Sequence, residues 1–206
     1  MVDHSFAMLL CSRICHDLIS PVGAVNNGLE ILDDVTTPDM RDEALALIRT
    51  SAQSASGKLQ FMRMAFGAGG TVTESVALDE AQELSEALVA ESPITLDWQA
   101  SNVTLERKVI KLLLNMIFVG FEAMPRGGTL GVGVRREGAT NLMITAEGPK
   151  LRIQDEAINI LCNGTELSAI DAKQANLLLT YELARSLDAT LFANSVGERL
   201  ELATTF

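Results

Sequence analysis

The chain has 206 residues, 48% hydrophobic and 21% charged, and a formal net charge of −11. That length supports one large or two small domains with a sizeable core, and the balance excludes a disordered chain. Such acidity repels phosphate backbones and anionic lipid surfaces, and 4% aromatics leave few stacking platforms for single strands, so neither nucleic acid nor membrane is expected as a partner.

The opening "MVDHSFAMLL" has no basic region of the kind that starts a secretory leader, and no apolar run approaches a membrane span. Three cysteines, an odd number, fit a reducing compartment, so a cytoplasmic location is expected. From about Phe6 to Leu32, Leu10, Ile14, Leu18, Val22, Val25, Leu29 and Leu32 recur at steps of four and three. This spacing predicts a long amphipathic helix. Met8, Cys11, Cys15 and Ile19 add an adjacent apolar row, and the two cysteines are expected to be buried and structural. "DDVTTPDM" breaks the pattern, with Thr37 an N-cap, Pro38 a first helical residue and Asp39 suited to the positive helix end. A second helix then reaches about Phe66 through Ala44, Ile48, Ala52, Ala55, Leu59 and Met62. A lone hairpin cannot enclose a core, so a homodimer closing a four-helix bundle is expected.

"GAGGT", residues 67–71, reads as a linker between a hairpin domain, 1–66, and a second domain, 72–206. There the periodicity predicts helices over Asp79–Glu91 and Leu105–Met124, and near Asp155–Leu161 and Ala172–Leu187. Strands are predicted at "ITLDWQA", "GTLGVGVRR" and "NLMITAE", with a closing hairpin of "ATLFANS" and "RLELATTF". The fold class is therefore a helical hairpin followed by an α/β sandwich, an antiparallel sheet with helices on one face.

Within the first helix stands "CHDLISP". His16 is two residues from both Ile14 and Leu18, so it points roughly 160–200° from the apolar stripe. Its helical neighbours Ser12, Ser20, Gly23 and Asn27 are small or polar and leave the imidazole reachable by a large partner. Pro21 cannot donate to the carbonyl of Asp17, so a bend is expected just past the histidine. A neutral imidazole is a nucleophile near pH 7, and an adjacent carboxylate, Asp17, can orient it. That pair suits phosphoryl transfer, where positioning and charge stabilisation dominate.

"HDLISP" resembles the H-box of two-component histidine kinases, H-[DE]-L-x-[ST]-P, with His16 at the phosphoacceptor, Asp17 at the acidic neighbour and Ser20 before Pro21. The second half resembles the kinase ATP-binding domain with its chemistry removed. "NMIFVGFEAMPRGGTLGV" lines up with the N-box, keeping Asn115 but placing Val119 at the second asparagine. "ITAEGPKL" lines up with the D-x-G-x-G box, with Ala146 for the aspartate, Gly148 retained and Lys150 for the second glycine. "AKQANLLLTYELARSL" lines up with the last glycine-rich box and carries no glycine.

The combination resembles the ChpT-type histidine phosphotransferases of α-proteobacteria. The resemblance implies a cytoplasmic homodimer that takes a phosphoryl group from the receiver domain of a hybrid histidine kinase (CckA-like). It passes the group to response regulators (CtrA-like and CpdR-like). His16, Asp17 and Ser20 would carry the chemistry, Pro21 would shape the helix, and Ser12, Arg13, Gly23 and Asn27 would form the docking face. No cofactor or metal is expected on this chain, ATP is not bound, and Mg²⁺ comes with the partner receiver. Two rival readings are an ATP-dependent kinase with unusual boxes and a scaffold that only tethers response regulators.

Overall fold

A computed structural model describes residues 4–34, 40–67, 75–100 and 103–206. The expected cap at Thr37, Pro38 and Asp39 and most of the 67–71 linker lie outside the described residues. Helix α1 (His4–Asp33) and helix α2 (Arg41–Phe66) form the hairpin. They meet closely because Gly28 has no side chain. A Cβ there would lie 2.6 Å from Ile48 Cγ1 and 3.1 Å from the Ala44 carbonyl. Pro21 sits inside α1, buried, and does not end the helix.

The helix corrects one expectation. By length and composition α1 could cross a membrane. Arg13, His16 and Asp17 interrupt its sequence, so no continuous apolar run is visible, yet the helix as a whole is apolar.

The second part begins with a short ribbon, β1 (Ser75–Ala77) against β3 (Thr104–Glu106). Between them lie α3 (Leu78–Val89) and β2 (Ile94–Ala100). Helix α4 (Arg107–Ala123), strands β4 (Gly128–Glu137) and β5 (Ala139–Glu147), and helix α5 (Asp155–Asn163) follow. A 3-10 turn (Leu167–Ala169), α6 (Ala175–Arg185) and the hairpin β6 (Thr190–Val196) and β7 (Arg199–Thr205) complete the fold. The main sheet runs β2-β4-β5-β7-β6. It is mixed and not wholly antiparallel, because β2 pairs parallel with β4. A parallel pair needs a crossover, and α4 supplies it.

Period-two patterning explains the sheet's single covered face. Leu130, Val132 and Val134 of β4, Leu142, Ile144 and Ala146 of β5, and Leu200 and Leu202 of β7 point inward and are buried. Against them lies α4, buried continuously from Leu112 to Gly120, as its all-round apolar sequence requires.

The end of the hairpin enters this same core. Phe61, Met62 and Ala65 of α2 are buried there, and Phe118 of α4 stacks near Phe61 (5.9 Å between rings) and Phe66 (5.8 Å). Two polar side chains of α4 fasten the join. Asn115 donates to the Ala65 carbonyl at 3.0 Å, and Lys111 donates to the Gly67 carbonyl. These are orphan carbonyls at a helix C-terminus, so the contacts finish α2.

Candidate functional site

His16 stands on the middle of α1 with its side chain 65% exposed. Ser12 and Ser20, one turn to either side, are exposed, as is Asn27 about three turns along the same face, and Gly23 is half-buried with open space where a side chain would go. The helical periodicity therefore places this face outward, as the apolar stripe implied.

Asp17 is turned the other way. Its side chain is 14% exposed and bridges two groups. Oδ1 lies 3.3 Å from His16 Nδ1, and Oδ2 accepts from Arg13 Nε at 2.8 Å. With its proton on Nδ1, His16 donates to Asp17 and leaves Nε2 as the free, outward lone pair. A loose acceptor at Nδ1 and an open Nε2 make a nucleophile whose line of attack is clear.

Arg13 was expected on the docking face and is not there. It is 5% exposed, and its guanidinium lies 5.5 Å from the centre of the Phe118 ring. It pairs with Glu122 of α4 and donates to the Lys173 carbonyl at 3.2 Å. The reason is angular. Three residues from His16, Arg13 lies about 60° around the helix, on the edge that faces the second domain. Glu122 in turn accepts from Asn176 Nδ2 of α6 at 3.2 Å. The sequence reading missed Glu122, Asn176 and Lys173 as members of this group. One signal for Glu122 was present: it is the lone carboxylate on a helix whose other residues are apolar or basic apart from Asn115.

The cysteines also differ from expectation. Cys11 and Cys15 are free and exposed, because no described residue of the single chain covers them.

The region matched to the nucleotide boxes forms a cleft of about 590 Å³, lined among others by Arg13, Val119, Glu122, Arg152, Lys173 and Asn176. Asn115 is fully buried and directed at α2, with donors to the Ala65 and Lys111 carbonyls. Gly148 is pressed on the turn at Gly127, where a Cβ would lie 2.3 Å from the Gly127 carbonyl. Lys150 holds a left-handed backbone, φ 57°, which a glycine would take more readily. Among the described residues, no group of three or more His, Cys, Asp or Glu could hold a metal ion.

Comparison with known proteins agrees with this architecture. The family model described as the histidine phosphotransferase C-terminal domain matches residues 78–199. The protein phosphotransferase ChpT of Brucella abortus (strain 2308) is 37% identical over 193 residues, 92% of this chain and 90% of the relative. The 1.7 Å structure of a bacterial phosphotransferase superposes with a TM-score of 0.86 at 34% identity, covering 99% of this chain and 97% of the other. The mycobacterial sensor histidine kinase MprB shares the fold alone, with a TM-score of 0.50 at 18% identity over 66% of this chain and 97% of the other. The chain belongs to the ChpT family of histidine phosphotransferases.

Proposed function

We propose that the protein is the phosphohistidine carrier of a two-component phosphorelay. His16 takes a phosphoryl group from the aspartyl phosphate of a hybrid kinase receiver (CckA-like) and gives it to the aspartates of response regulators (CtrA-like and CpdR-like). The observation that carries the reading is the exposed His16 with Asp17 at its inner nitrogen. In the forward step Nε2 bonds to phosphorus. The partner's acyl P–O bond breaks, its electron pair returns to the partner carboxylate, and the Nδ1 proton stays shared with Asp17. The reverse step loads the next receiver. Ser12 and Ser20, one turn to either side of His16, flank the phosphoryl position, and the small or polar residues Gly23 and Asn27 extend the same face for another domain. Mg²⁺ would arrive with the receiver.

Nucleotide has no part in this reading. The pair of buried Arg13 and half-buried Glu122 sits in the cleft, Val119 and Ala146 are apolar where the family's polar contacts belong, and Asn115 is committed to α2.

The functional unit in this reading is a cytoplasmic homodimer. Eight of the eleven exposed large hydrophobics among the described residues lie in or beside the hairpin. On α1, Met8, Cys11, Cys15, Leu18, Val22, Val25, Leu29 and Leu32 follow a heptad seam. On α2, Leu45, Ile48, Ala52, Ala55 and Leu59 do the same. A second hairpin would cover both seams and both cysteines, at about 1.5–3 kcal/mol for each large side chain fully buried.

The relay is tested by incubating the protein with a receiver domain carrying labelled phosphate. Acid-labile label should appear on the wild type and not on a folded His16→Gln variant. Label on neither, with the receiver still bound, would leave a tethering scaffold instead.

A further inference from the structure

Arg13 is a strange residue to bury on the edge of a helix. A desolvated guanidinium is tolerated only where its donors are matched. Here each nitrogen has a partner, and the partners come from three places. Nε serves Asp17 on α1, one terminal nitrogen serves Glu122 on α4, and the other serves the Lys173 carbonyl before α6. Glu122 is itself held by Asn176 on α6. A line of contacts therefore runs from His16 through Asp17, Arg13 and Glu122 to Asn176. It begins at the proposed phosphoacceptor and ends inside the ATPase-like domain.

The line constrains Asp17. One of its oxygens is fixed by Arg13, so the other can only face His16. Without that anchor the short carboxylate is free to rotate into solvent. His16 would lose the acceptor that keeps its proton on Nδ1, and with it the open Nε2. A planar fork is needed for three simultaneous partners, which explains arginine over lysine.

We propose that Arg13 and Glu122 are positioning residues for phosphoryl transfer: through them the second domain holds Asp17 against His16 and sets the imidazole tautomer. The inference rests on the reading of His16 as the phosphoacceptor. It gives the ATPase-like domain a part in the chemistry that needs no nucleotide.

The test measures single-turnover label transfer from a phosphorylated receiver for the wild type, Arg13→Gln, Glu122→Gln, the Arg13→Gln/Glu122→Gln pair, Asp17→Asn and Arg13→Gln/Asp17→Asn. Circular dichroism confirms folding, and the paired neutral variant guards against a single buried charge unfolding the chain. Arg13→Gln and the paired variant should each slow the transfer step by about tenfold to a hundredfold, the upper figure being the scale of a ~1 Å misplacement of a reacting group. The receiver concentration for half-maximal rate should not move. In the Asp17→Asn background, Arg13→Gln should add no further loss. Nitrogen-15 shifts of His16 should show the proton moving from Nδ1 toward Nε2 in Arg13→Gln. Equal losses in both backgrounds, or an unchanged tautomer, would make Arg13 a mere tie between domains and overturn the proposal while leaving the His16 reading intact. No label on wild-type protein would remove both.

Discussion

His16 and Arg13 differ in how far a sequence can speak for a side chain. The helical period places His16 opposite the apolar stripe, and the structure finds it exposed. The same period puts Arg13 near His16 but is silent on what lies 60° around the helix, where Phe118, Glu122 and Lys173 come from residues a hundred or more positions away. Direction is local information, while partners are long-range information. Lys111 shows the same limit. Burial first, and the neighbouring Arg107 second, hold its ammonium below the ordinary 10.5. In the folded chain Lys111 therefore gives up its proton at a lower pH than in the unfolded chain. Through the window between its lowered value and 10.5 the unfolded state holds more protons, so stability should rise with pH there. Urea titrations at pH 8 and pH 10 should show that rise in the wild type and a smaller one in Lys111→Met. A fall of equal size in both would contradict it.

At the scale of elements, length decided legibility. The long helices and "ITLDWQA" carry enough periods to be read, and β2 spans that segment as Ile94–Ala100. Strands β1 and β3 have three residues each, too few for any period, and exist because Val76 and Leu105 are buried together under α4. The parallel pairing of β2 with β4 was also hidden, since strand sequences state which face is apolar and not which neighbour runs alongside. Helix α2 serves two surfaces at once: one edge meets α1 and its last turns enter the core of the second part. Gly57 marks where α2 passes α3, since a Cβ there would lie 2.4 Å from the Ala87 carbonyl. Backbone cannot yield as a side chain can. Gly57→Val should cost about 1–3 kcal/mol in denaturant unfolding, whereas Gly23→Ala, with open space around it, should be neutral or stabilising. Equal effects at the two sites would deny the close α2–α3 approach.

For the whole molecule, the hairpin is two-sided. One edge is fastened to the second part by Phe61, Met62, Lys111 and Asn115, and the other presents Ile19, Val22, Leu29, Leu45 and Leu59 to solvent. The amphipathic pattern makes a bundle the expectation because its apolar arc is wider than one neighbour can cover. Light scattering should give a mass near twice the 22.1 kDa of the chain. A mass near 22.1 kDa at micromolar concentration would leave the seam uncovered and contradict the dimer. The nucleotide-box departures at Val119, Ala146 and Lys150 were legible because family motifs are short and fixed. The Arg13–Glu122 ion pair in the cleft beside Val119 was not, because it joins residues 13 and 122.

The most direct measurement of the carrier role is a chase. Protein labelled on His16 by one receiver is freed of that receiver and of all nucleotide, then mixed with a second, unphosphorylated receiver and Mg²⁺. Label should leave His16 and appear on the second receiver's aspartate, with Asp17→Asn slowing both loading and unloading. Label that stays on the protein until it hydrolyses, or that moves only when ATP is added, would contradict the carrier role.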